Sequence, residues 1–311
     1  MKPKNTPKVS VVIPNFNGYE LLSNNLPSVI NASKNIKNNI LEVIVVDDGS
    51  TDQSVSLLTS KFKNDIKLIK HTKNRGFSAA VNTGVRSSSG DIICLLNTDV
   101  SPKVDFMEKV INLFDDKQSL ANGIGEKVFA VSLNEGAYGP AKGYFDGGYI
   151  QIGNKKNTKD IELSFYVSGG SGLFRKSIWQ ELGGLDEKLL SPAYWEDIDI
   201  CFRASKRGYQ NLWFKDAHVT HIHESTVSKL PKKYIEKIRE RNQLLMLWKN
   251  IHSSNLVKKH ITAILKRSFQ HPGYLKVILS ALLKLPLVLK ARQKEIKESV
   301  VSDEAVFQKY Q

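Results

Sequence analysis

The chain has 311 residues, of which 41% are hydrophobic and 24% are charged, a composition typical of globular proteins. Its two cysteines, Cys94 and Cys201, both stand in apolar stretches, so a disulfide framework is excluded and a reducing compartment is favoured. Residues 1–14 contain no apolar segment of signal-peptide length, so we expect a cytoplasmic protein.

The net charge of +14 is concentrated at the end of the chain. Residues 229–311 hold 18 Lys and Arg against 6 Asp and Glu, a net of +12, which leaves +2 for residues 1–228. A basic segment indicates an anionic partner, either nucleic acid or an acidic membrane surface, although a solvated helix face gives the same pattern. We therefore separate a nearly neutral body, 1–228, from a basic tail, 229–311.

Apolar runs alternate with helix-like segments at the start of the body. Strands are predicted at 8–14, 41–50, 65–70 and 90–99. Helices are predicted at 18–33, 50–62, 75–90 and 101–114. Continuous apolar runs indicate strands covered on both faces, as in a parallel sheet. The alternation predicts an open, doubly wound α/β sheet, which binds ligands at the carboxyl ends of its strands.

Shorter elements are predicted between 116 and 228. A helix should begin near Glu196, because Ile198, Cys201 and Phe202 recur at positions i, i+3 and i+4. Hairpin or edge strands are predicted at 123–132 and 143–154. A strand, a glycine loop and a helix are predicted at 165–184, and a strand followed by a loop at 211–226.

Polar residues stand where the apolar strands stop. Asp47 and Asp48 end the second run, and Asn97 and Asp99 end the fourth. Because the carboxyl ends of parallel strands share one edge, we expect these side chains to converge. Clustered carboxylates repel one another unless a cation or hydrogen-bond donors compensate. Turns also favour Asp and Asn, so each motif alone is ambiguous.

Six segments in order carry a resemblance to a known family: VVIPNFNG, VVDDGSTD, KNRGFSAAVNTG, GDIICLLNTD, GGSGLFRK and YWEDIDICFRASKRGY. Over residues 8–226 the chain resembles a family 2 glycosyltransferase, most like the branch of bacterial rhamnosyltransferases. The resemblance implies a GT-A fold, which is Rossmann-like, with a mostly parallel central sheet flanked by helices. It also implies a nucleotide-binding half at about 8–115 and an acceptor-binding half at about 116–228, with the tail as a helical basic extension.

The resemblance assigns the nucleotide base to the ends of the first two strands. Phe16, in the segment Pro14-Asn15-Phe16, resembles the aromatic residue that lies against the base, although it could instead belong to the core. Asp48 resembles the carboxylate that accepts a hydrogen bond from a pyrimidine N3–H. Asp47 could instead cap the turn. The expected donor is therefore a UDP- or dTDP-sugar, with dTDP-rhamnose a candidate on branch resemblance alone.

Asn74, Arg75 and Gly76 resemble the family's N-x-G element beside the nucleotide. Arg75 would place a planar cation near phosphate, and an exposed salt bridge is the alternative.

The segment 97–99 stands where the family has D-x-D. Asp99 resembles the ligand of a Mg²⁺ or Mn²⁺ ion that bridges the donor diphosphate, and hard cations prefer oxygen ligands. Asn97 departs from the pattern, because a neutral amide weakens metal affinity while it can still reach ribose or a metal-bound water. A histidine after the last strand resembles a further ligand of this metal; His221 matches best and His223 is the second choice.

Glu196 and Asp197 open a predicted helix, and the family resemblance makes them the catalytic carboxylates. Asp197 resembles the general base that takes the proton of the acceptor hydroxyl, which places the reaction among inverting transfers. Acidic residues at a helix N-terminus also complement the helix dipole, and Asp199 is a nearby acidic residue of that kind.

The acceptor is expected beside three further residues. Trp195 offers a flat apolar face for a sugar ring, or else belongs to the core. Gly169 and Gly170 allow the backbone to approach the transferred sugar or the acceptor closely.

The tail reads as helices at 231–250, 253–269 and 271–294. On a helical wheel Lys276, Lys284 and Lys290 fall within about 120° of arc, and the remaining positions of the last segment are mostly aliphatic. This pattern fits an interfacial helix on an anionic leaflet better than a transmembrane span. We expect peripheral binding at the inner face of the membrane, near a lipid-linked glycan acceptor; packing on the body is the alternative.

Three other functions compete with sugar transfer in cell-surface polysaccharide synthesis. A nucleotidylyltransferase should carry a G-x-G-T-R-like loop after the first strand, where this chain has PNFNG. A non-catalytic nucleotide-sugar or glycan-binding protein remains open because of Asn97. Nucleic-acid binding is disfavoured, because the basic residues lie in an apolar, amphipathic tail.

Overall fold

The computed structural model describes residues 6–115, 127–136, 138–156, 159–222 and 231–311. Its strands are β1 Val9–Asn15, β2 Ile40–Asp47, β3 Lys67–Lys70, β4 Ile92–Leu96, β5 Val100–Pro102, β6 Val128–Asn134, β7 Ala141–Asp146, β8 Tyr149–Asn154, β9 Ile161–Leu163, β10 Ser171–Arg175 and β11 Gln210–His221. Its α-helices are α1 Tyr19–Ser33, α2 Ser54–Ser60, α3 Phe77–Arg86, α4 Lys176–Leu182, α5 Glu196–Lys206, α6 Lys232–Asn250, α7 Ser254–Gln270, α8 Leu275–Leu282, α9 Leu285–Glu298 and α10 Asp303–Tyr310. Short 3₁₀ helices lie at Ile36–Asn38, Val110–Phe114 and Pro272–Tyr274.

A mixed sheet forms the centre of the molecule. Within the described residues its strand order is β3-β2-β1-β4-β10-β6-β11-β5, with β9 alongside β11. Strands β3, β2, β1 and β4 run parallel, β10 runs antiparallel to both neighbours, and β6 is parallel to β11. Every residue of β4 is buried, as the continuous apolar run predicted. The carboxyl ends of β1, β2 and β4 therefore lie at one edge.

The helix predicted at 101–114 is wrong. Val100–Pro102 instead pairs antiparallel with the end of β11, and only Val110–Phe114 is helical, as a 3₁₀ turn. Tertiary pairing outweighs the local helix-start signal of Ser101 and Pro102. The pairing sets His221 opposite Val100, so it brings the end of β11 to the end of β4.

Two predictions in the middle of the chain also need correction. The segment 123–132 was expected as a hairpin or edge strand, but β6 lies inside the sheet between β10 and β11. In 165–184 the strand β10 follows the glycine loop, because Ser171–Arg175 pairs with β4 and β6. The hairpin expected at 143–154 is confirmed as β7–β8.

The tail packs against the body and shares a core with it. The Phe307 ring of α10 lies 6.0 Å from the ring of Phe165, and the Tyr310 ring lies 5.9 Å from the same ring. Arg207 at the end of α5 donates to Glu295 of α9 at 2.7 Å. The structure therefore shows the tail packed on the body, which was the alternative prediction. The predicted boundary at 228–229 lies outside the described residues.

The apolar segment 271–294 is not a single helix. It divides into α8 and α9, which with the preceding 3₁₀ turn are bent by 67°. No single helix among the described residues is long and apolar enough to cross a bilayer; the bent pair passes by length and composition only when its two parts are taken together. The wheel that grouped Lys276, Lys284 and Lys290 therefore does not apply. Lys284 instead donates to the carbonyls of Lys188 and Leu189, at 2.6 and 2.9 Å.

Candidate active site

A cavity of about 400 Å³ opens at the carboxyl ends of β1, β2 and β4. Asp48, Asp99 and Asp197 all line it, although they are far apart in sequence. Ile235 and Ile238 of α6 form part of its wall, so the tail contributes to it directly. Other lining residues come from the predicted site: Pro14, Asn15, Phe16, Asn74, Gly76, Asn97, Gly169, Gly170 and Glu196.

The end of β1 is braced against β2. Asn15 donates to the Asp47 carboxylate at 2.9 Å, and the other Asp47 oxygen accepts from the Ser50 amide at 3.0 Å, so Asp47 caps the turn as the alternative predicted. Among the described residues, the Asn15 Oδ1 atom is buried without a hydrogen-bond partner. Phe16 is half-buried and faces the cavity, so it is not a core residue.

Asp48 is buried and organises the loop that follows β3. Its carboxylate accepts from His71 Nδ1 at 2.6 Å and from the Gly76 amide at 2.8 Å, and both of its oxygens accept from the Arg75 amide at 3.0 Å. The Arg75 side chain turns away to pair with Glu187 at 3.2 Å, which is the exposed salt bridge of the alternative. His71 was missed, since no motif marks it.

Asp99 lines the cavity and contacts His221, which is not itself one of the lining residues. Asp99 Oδ1 lies 3.2 Å from His221 Nε2, and His221 Nδ1 lies 2.9 Å from Glu135 Oε1. Burial disfavours the charged imidazole, but hydrogen bonds and charge from the two carboxylates outweigh it and raise the pKa of His221 to about 9. Sequence reasoning missed Glu135, which belongs to no recognisable motif. His223 lies outside the described residues.

This pair would hold a divalent cation after His221 Nε2 loses the proton that it donates to Asp99, because a metal ligand must be deprotonated. Two adjacent ligands of an octahedral ion, each about 2.1 Å from it, lie about 3 Å apart, close to the observed separation of Asp99 and His221. Glu135 on the far nitrogen of His221 is the kind of second partner that orients a metal-binding imidazole. Among the described residues no group of three or more His, Cys, Asp or Glu side chains forms a metal site.

Gly170 allows the Asn97 side chain to sit in the cavity. A Cβ atom on Gly170 would lie 2.5 Å from Asn97 Nδ2 and 3.4 Å from His221 Cε1. The backbone N–H of Asn97 also donates to the Gly170 carbonyl at 2.8 Å, which fixes the two segments together. A Cβ atom on Gly169 would meet its neighbours only at ordinary distances of 3.4 Å or more. Gly170 is therefore required by the Asn97 side chain, and the close approach of Gly169 and Gly170 to a sugar or acceptor stays a prediction.

Glu196 and Asp197, here called the carboxylate pair, open α5 at the cavity. The amides of Gly169 and Ile198 donate to opposite oxygens of Asp197, at 3.3 and 2.8 Å. Glu196 is 7% exposed, and its Oε2 atom has no hydrogen-bond partner among the described residues. Burial, with the negative charge of Asp197, raises the pKa of Glu196 well above its ordinary value, and burial also raises the pKa of Asp197.

Asp199 lies in the core and does not line the cavity. It pairs with Arg203 at 2.8 Å and with Lys249 at 3.0 Å, and it accepts from Asn250 at 2.7 Å. Burial opposes its ionisation, but the two cations and these hydrogen bonds lower the pKa of Asp199 to about 2. It joins α5 to α6.

The residues before the carboxylate pair adopt an unusual backbone. Tyr194 and Trp195 have φ angles of 74° and 76°, in the left-handed region that costs bulky residues about 1–2 kcal/mol each. Trp195 packs partly buried against the core shared with the tail, whereas Tyr194 lines the cavity. The structure thus places Trp195 in the core environment that was the alternative, and Tyr194 occupies the cavity wall.

Sequence comparison gives one family. A profile described as "Glycosyl transferase family 2" matches residues 10–182. The "Pre-mycofactocin glycosyltransferase" of Mycobacterium tuberculosis is 28% identical over 186 residues, which cover 60% of this chain and 38% of that protein. The match therefore spans well under half of that relative's length.

Solved structures share the fold. GalNAc-T7, solved with UDP, GalNAc and Mn²⁺, superposes with a TM-score of 0.63 at 16% identity, over 87% of this chain and 57% of that chain. The mannosyltransferase PcManGT from Pyrobaculum calidifontis, solved with GDP-Man and Mn²⁺, gives 0.54 at 17% identity, over 95% and 86%. These likenesses show the GT-A fold.

Proposed function

The chain belongs to glycosyl transferase family 2, and from that premise we propose that it moves a sugar from a nucleoside diphosphate to an acceptor hydroxyl, with inversion at the anomeric carbon. The observation that carries the proposal is the cavity in which Asp48, Asp99 and Asp197 converge. The buried atoms Asn15 Oδ1 and Glu196 Oε2, which have no hydrogen-bond partner in the described part of the chain, support it, because such atoms beside a cavity indicate groups that a ligand satisfies.

Asp197 is the proposed general base. The amides of Gly169 and Ile198 hold its carboxylate in place, so an oxygen can accept the proton of the acceptor hydroxyl as that hydroxyl attacks. Glu196, whose raised pKa favours the protonated form, would donate a hydrogen bond to a sugar hydroxyl. A Mg²⁺ or Mn²⁺ ion held by Asp99 and His221 would supply neutralisation of the charge on the leaving diphosphate.

For the donor we propose a UDP- or dTDP-sugar, with dTDP-rhamnose one candidate. Asp48 borders the cavity beside Phe16, and its two oxygens already accept four hydrogen bonds from protein donors, as many as a carboxylate has acceptor positions, about four. A pyrimidine N3–H would share one of these oxygens. For the acceptor we propose a glycan or lipid-linked glycan of cell-surface polysaccharide synthesis.

A donor panel tests the chemistry. Purified protein is incubated with UDP-, dTDP- and GDP-sugars, with and without Mn²⁺, and released nucleoside diphosphate is measured by mass spectrometry. We expect turnover of a pyrimidine-linked donor, and a fall of at least 100-fold in Asp197→Asn, since positioned proton transfer contributes about 10²–10⁴-fold. The matched control is Asp216→Asn; Asp216 pairs with Lys109, and its side chain is 42% exposed. Donor binding without turnover of any donor would favour the non-catalytic binding protein.

We also propose that the tail docks on the inner, anionic face of a membrane. Leu265 and Phe269 on α7 are 66% and 90% exposed, and Leu279 and Leu283, on and just after α8, are 61% and 85% exposed. These four residues, here called the apolar face, lie on either side of one turn in a segment of net charge +12. Exposed aliphatic residues among lysines suit the interface of an anionic bilayer.

Liposome sedimentation tests this docking. A chain ending near 228 is unsuitable, because it would remove cavity and core residues, so the full chain is used with Leu265, Phe269 and Leu283 changed to Gln. The control changes Ile36, Leu41 and Val104 to Gln; these are exposed apolar residues of the body.

We expect the wild type and the control to pellet with phosphatidylglycerol vesicles, and the variant of the apolar face to stay in solution. Equal pelleting of the variant and the wild type would reject the proposal. A change in oligomeric state without a change in pelleting would reject it in favour of a second copy as the partner.

A further inference from the structure

A helix of the tail holds the segment that leads into the carboxylate pair. Asn242 of α6 is fully buried. Its Nδ2 atom lies 2.6, 2.9 and 3.1 Å from the carbonyl oxygens of Leu190, Ala193 and Tyr194, which share its two amide hydrogens. One amide group therefore fixes the 190–195 loop at three points.

This loop needs an external support. Tyr194 and Trp195 both lie in the left-handed region, which L residues other than glycine rarely adopt, and they directly precede the carboxylate pair. The Trp195 carbonyl accepts the hydrogen bond of the Asp199 amide at 2.8 Å, within the first turn of α5. The loop backbone therefore sets where that helix begins and which way its first side chains point.

Neighbours of Asn242 reinforce the support. Arg241 donates to the Ser191 carbonyl at 2.6 Å and to Asn242 Oδ1 at 2.8 Å, so it holds both the loop and the asparagine. The Arg239 guanidinium lies 4.7 Å from the centre of the Tyr194 ring. These contacts all come from α6, in the tail.

We propose that Asn242 is a positioning residue, which keeps the 190–195 loop in its left-handed conformation so that the carboxylate pair faces the cavity. Asn242 does not line the cavity and acts only through the loop. Its effect on turnover rests on the proposed function, whereas its effect on the loop does not.

The test compares two buried asparagines. Asn38 is also fully buried, donates to the carbonyls of Ala32 and Val104 at 2.8 Å, and lies outside the cavity. Asn242→Ala and Asn38→Ala therefore remove similar hydrogen bonds, and both should lower the melting temperature. Hydrogen exchange followed by mass spectrometry is measured over 188–200, and donor turnover is measured for both variants.

In Asn242→Ala we expect amide exchange in 188–200 to rise at least tenfold, kcat to fall at least tenfold, and the donor KM to stay within about threefold. In Asn38→Ala exchange in this segment and kcat should match the wild type. Unchanged exchange in Asn242→Ala, or faster exchange with unchanged kcat, would overturn the proposal. An equal fall of kcat in Asn38→Ala would also overturn it.

If Asn242→Ala does not fold, Arg241→Met is measured in the same way. Arg241→Met keeps the buried asparagine and removes the hydrogen bond to the Ser191 carbonyl. We therefore expect amide exchange in 188–200 to rise about threefold and kcat to fall about threefold. The absence of both changes would count against the proposal. If the wild type turns over no donor, the proposed function fails, and the exchange measurement alone decides whether Asn242 holds the loop.

Discussion

Gly170 is the position where a single methyl group should disturb the cavity most. In Gly170→Ala the new Cβ atom would stand 2.5 Å from Asn97 Nδ2, so the Asn97 side chain must leave its place. We expect kcat/KM for donor turnover to fall at least tenfold. Gly169→Ala, whose Cβ atom meets only ordinary contacts, is the control and should lose less than threefold. Similar losses in the two variants would contradict this role of Gly170.

The carboxylate pair should give the pH profile a recognisable acidic limb. The pKa values of Glu196 and Asp197 are both raised, and the charges facing Glu196 are those of Asp197 and Asp199. Burial raises the pKa of Asp197, and Glu196 is protonated in the proposed mechanism, so Glu196→Gln should leave the acidic limb of kcat/KM in place. Glu181→Gln, at an exposed carboxylate, should do the same. A limb that moves to lower pH in Glu196→Gln alone would mean that Glu196 carries a negative charge beside the proposed base.

The same pair has a consequence for stability. A raised pKa in the folded state means that the contribution of Glu196 to stability is present below its unfolded pKa and is lost as pH rises through the folded pKa. As pH rises from the unfolded pKa of Glu196 to its folded pKa, the melting temperature of Glu196→Gln should therefore increase relative to that of the wild type.

At the scale of elements, the junction of α5 with α6 depends on Asp199. Asp199→Asn leaves Arg203 buried without its counter-ion and leaves Lys249 with Asp186 alone, which should lower the free energy of unfolding by about 3–5 kcal/mol in urea titrations. Asp216→Asn, at the pair with the exposed Lys109, should lose less than about 1 kcal/mol. Comparable losses would mean that the buried cations are satisfied in another way.

The pH dependence of this effect has a definite sign. The pKa of Asp199 is lowered to about 2, so its contribution is complete above its unfolded pKa of about 3.9 and is lost as pH falls through about 2. The stability difference between the wild type and Asp199→Asn should shrink over that interval.

At the scale of the whole molecule, the parallel half of the sheet could be predicted because its signals are local. The strands β1 to β4 and the helices α1 to α3 follow from apolar runs and the turns between them. The helix expected at 101–114 failed, because the pairing of Val100–Pro102 with β11 joins residues more than a hundred positions apart. No local pattern near Ser101 indicates that this segment pairs with β11.

The residues of the cavity also differ in how far the sequence could indicate them. Asp48, Asp99 and Asp197 stand in motifs, so the sequence could indicate them. Glu135 belongs to no motif, and Tyr194 opens the segment YWEDIDICFRASKRGY but was given no role there; the place of both depends on packing between distant segments. Asn242 left a weaker signal, since a polar residue on the apolar side of a helix indicates a buried partner. The tail was expected as a docking element, yet Ile235 and Ile238 make it a wall of the cavity.

The proposed mechanism requires one cavity to bring a nucleoside diphosphate and a divalent cation to Asp99, His221 and the carboxylate pair. A crystal structure of the full chain with UDP and Mn²⁺, with anomalous data for manganese, tests it most directly. We expect a manganese peak in contact with Asp99 and His221, and the uracil beside Phe16 and Asp48. A well-occupied nucleotide and manganese at another surface, with this cavity empty, would contradict it.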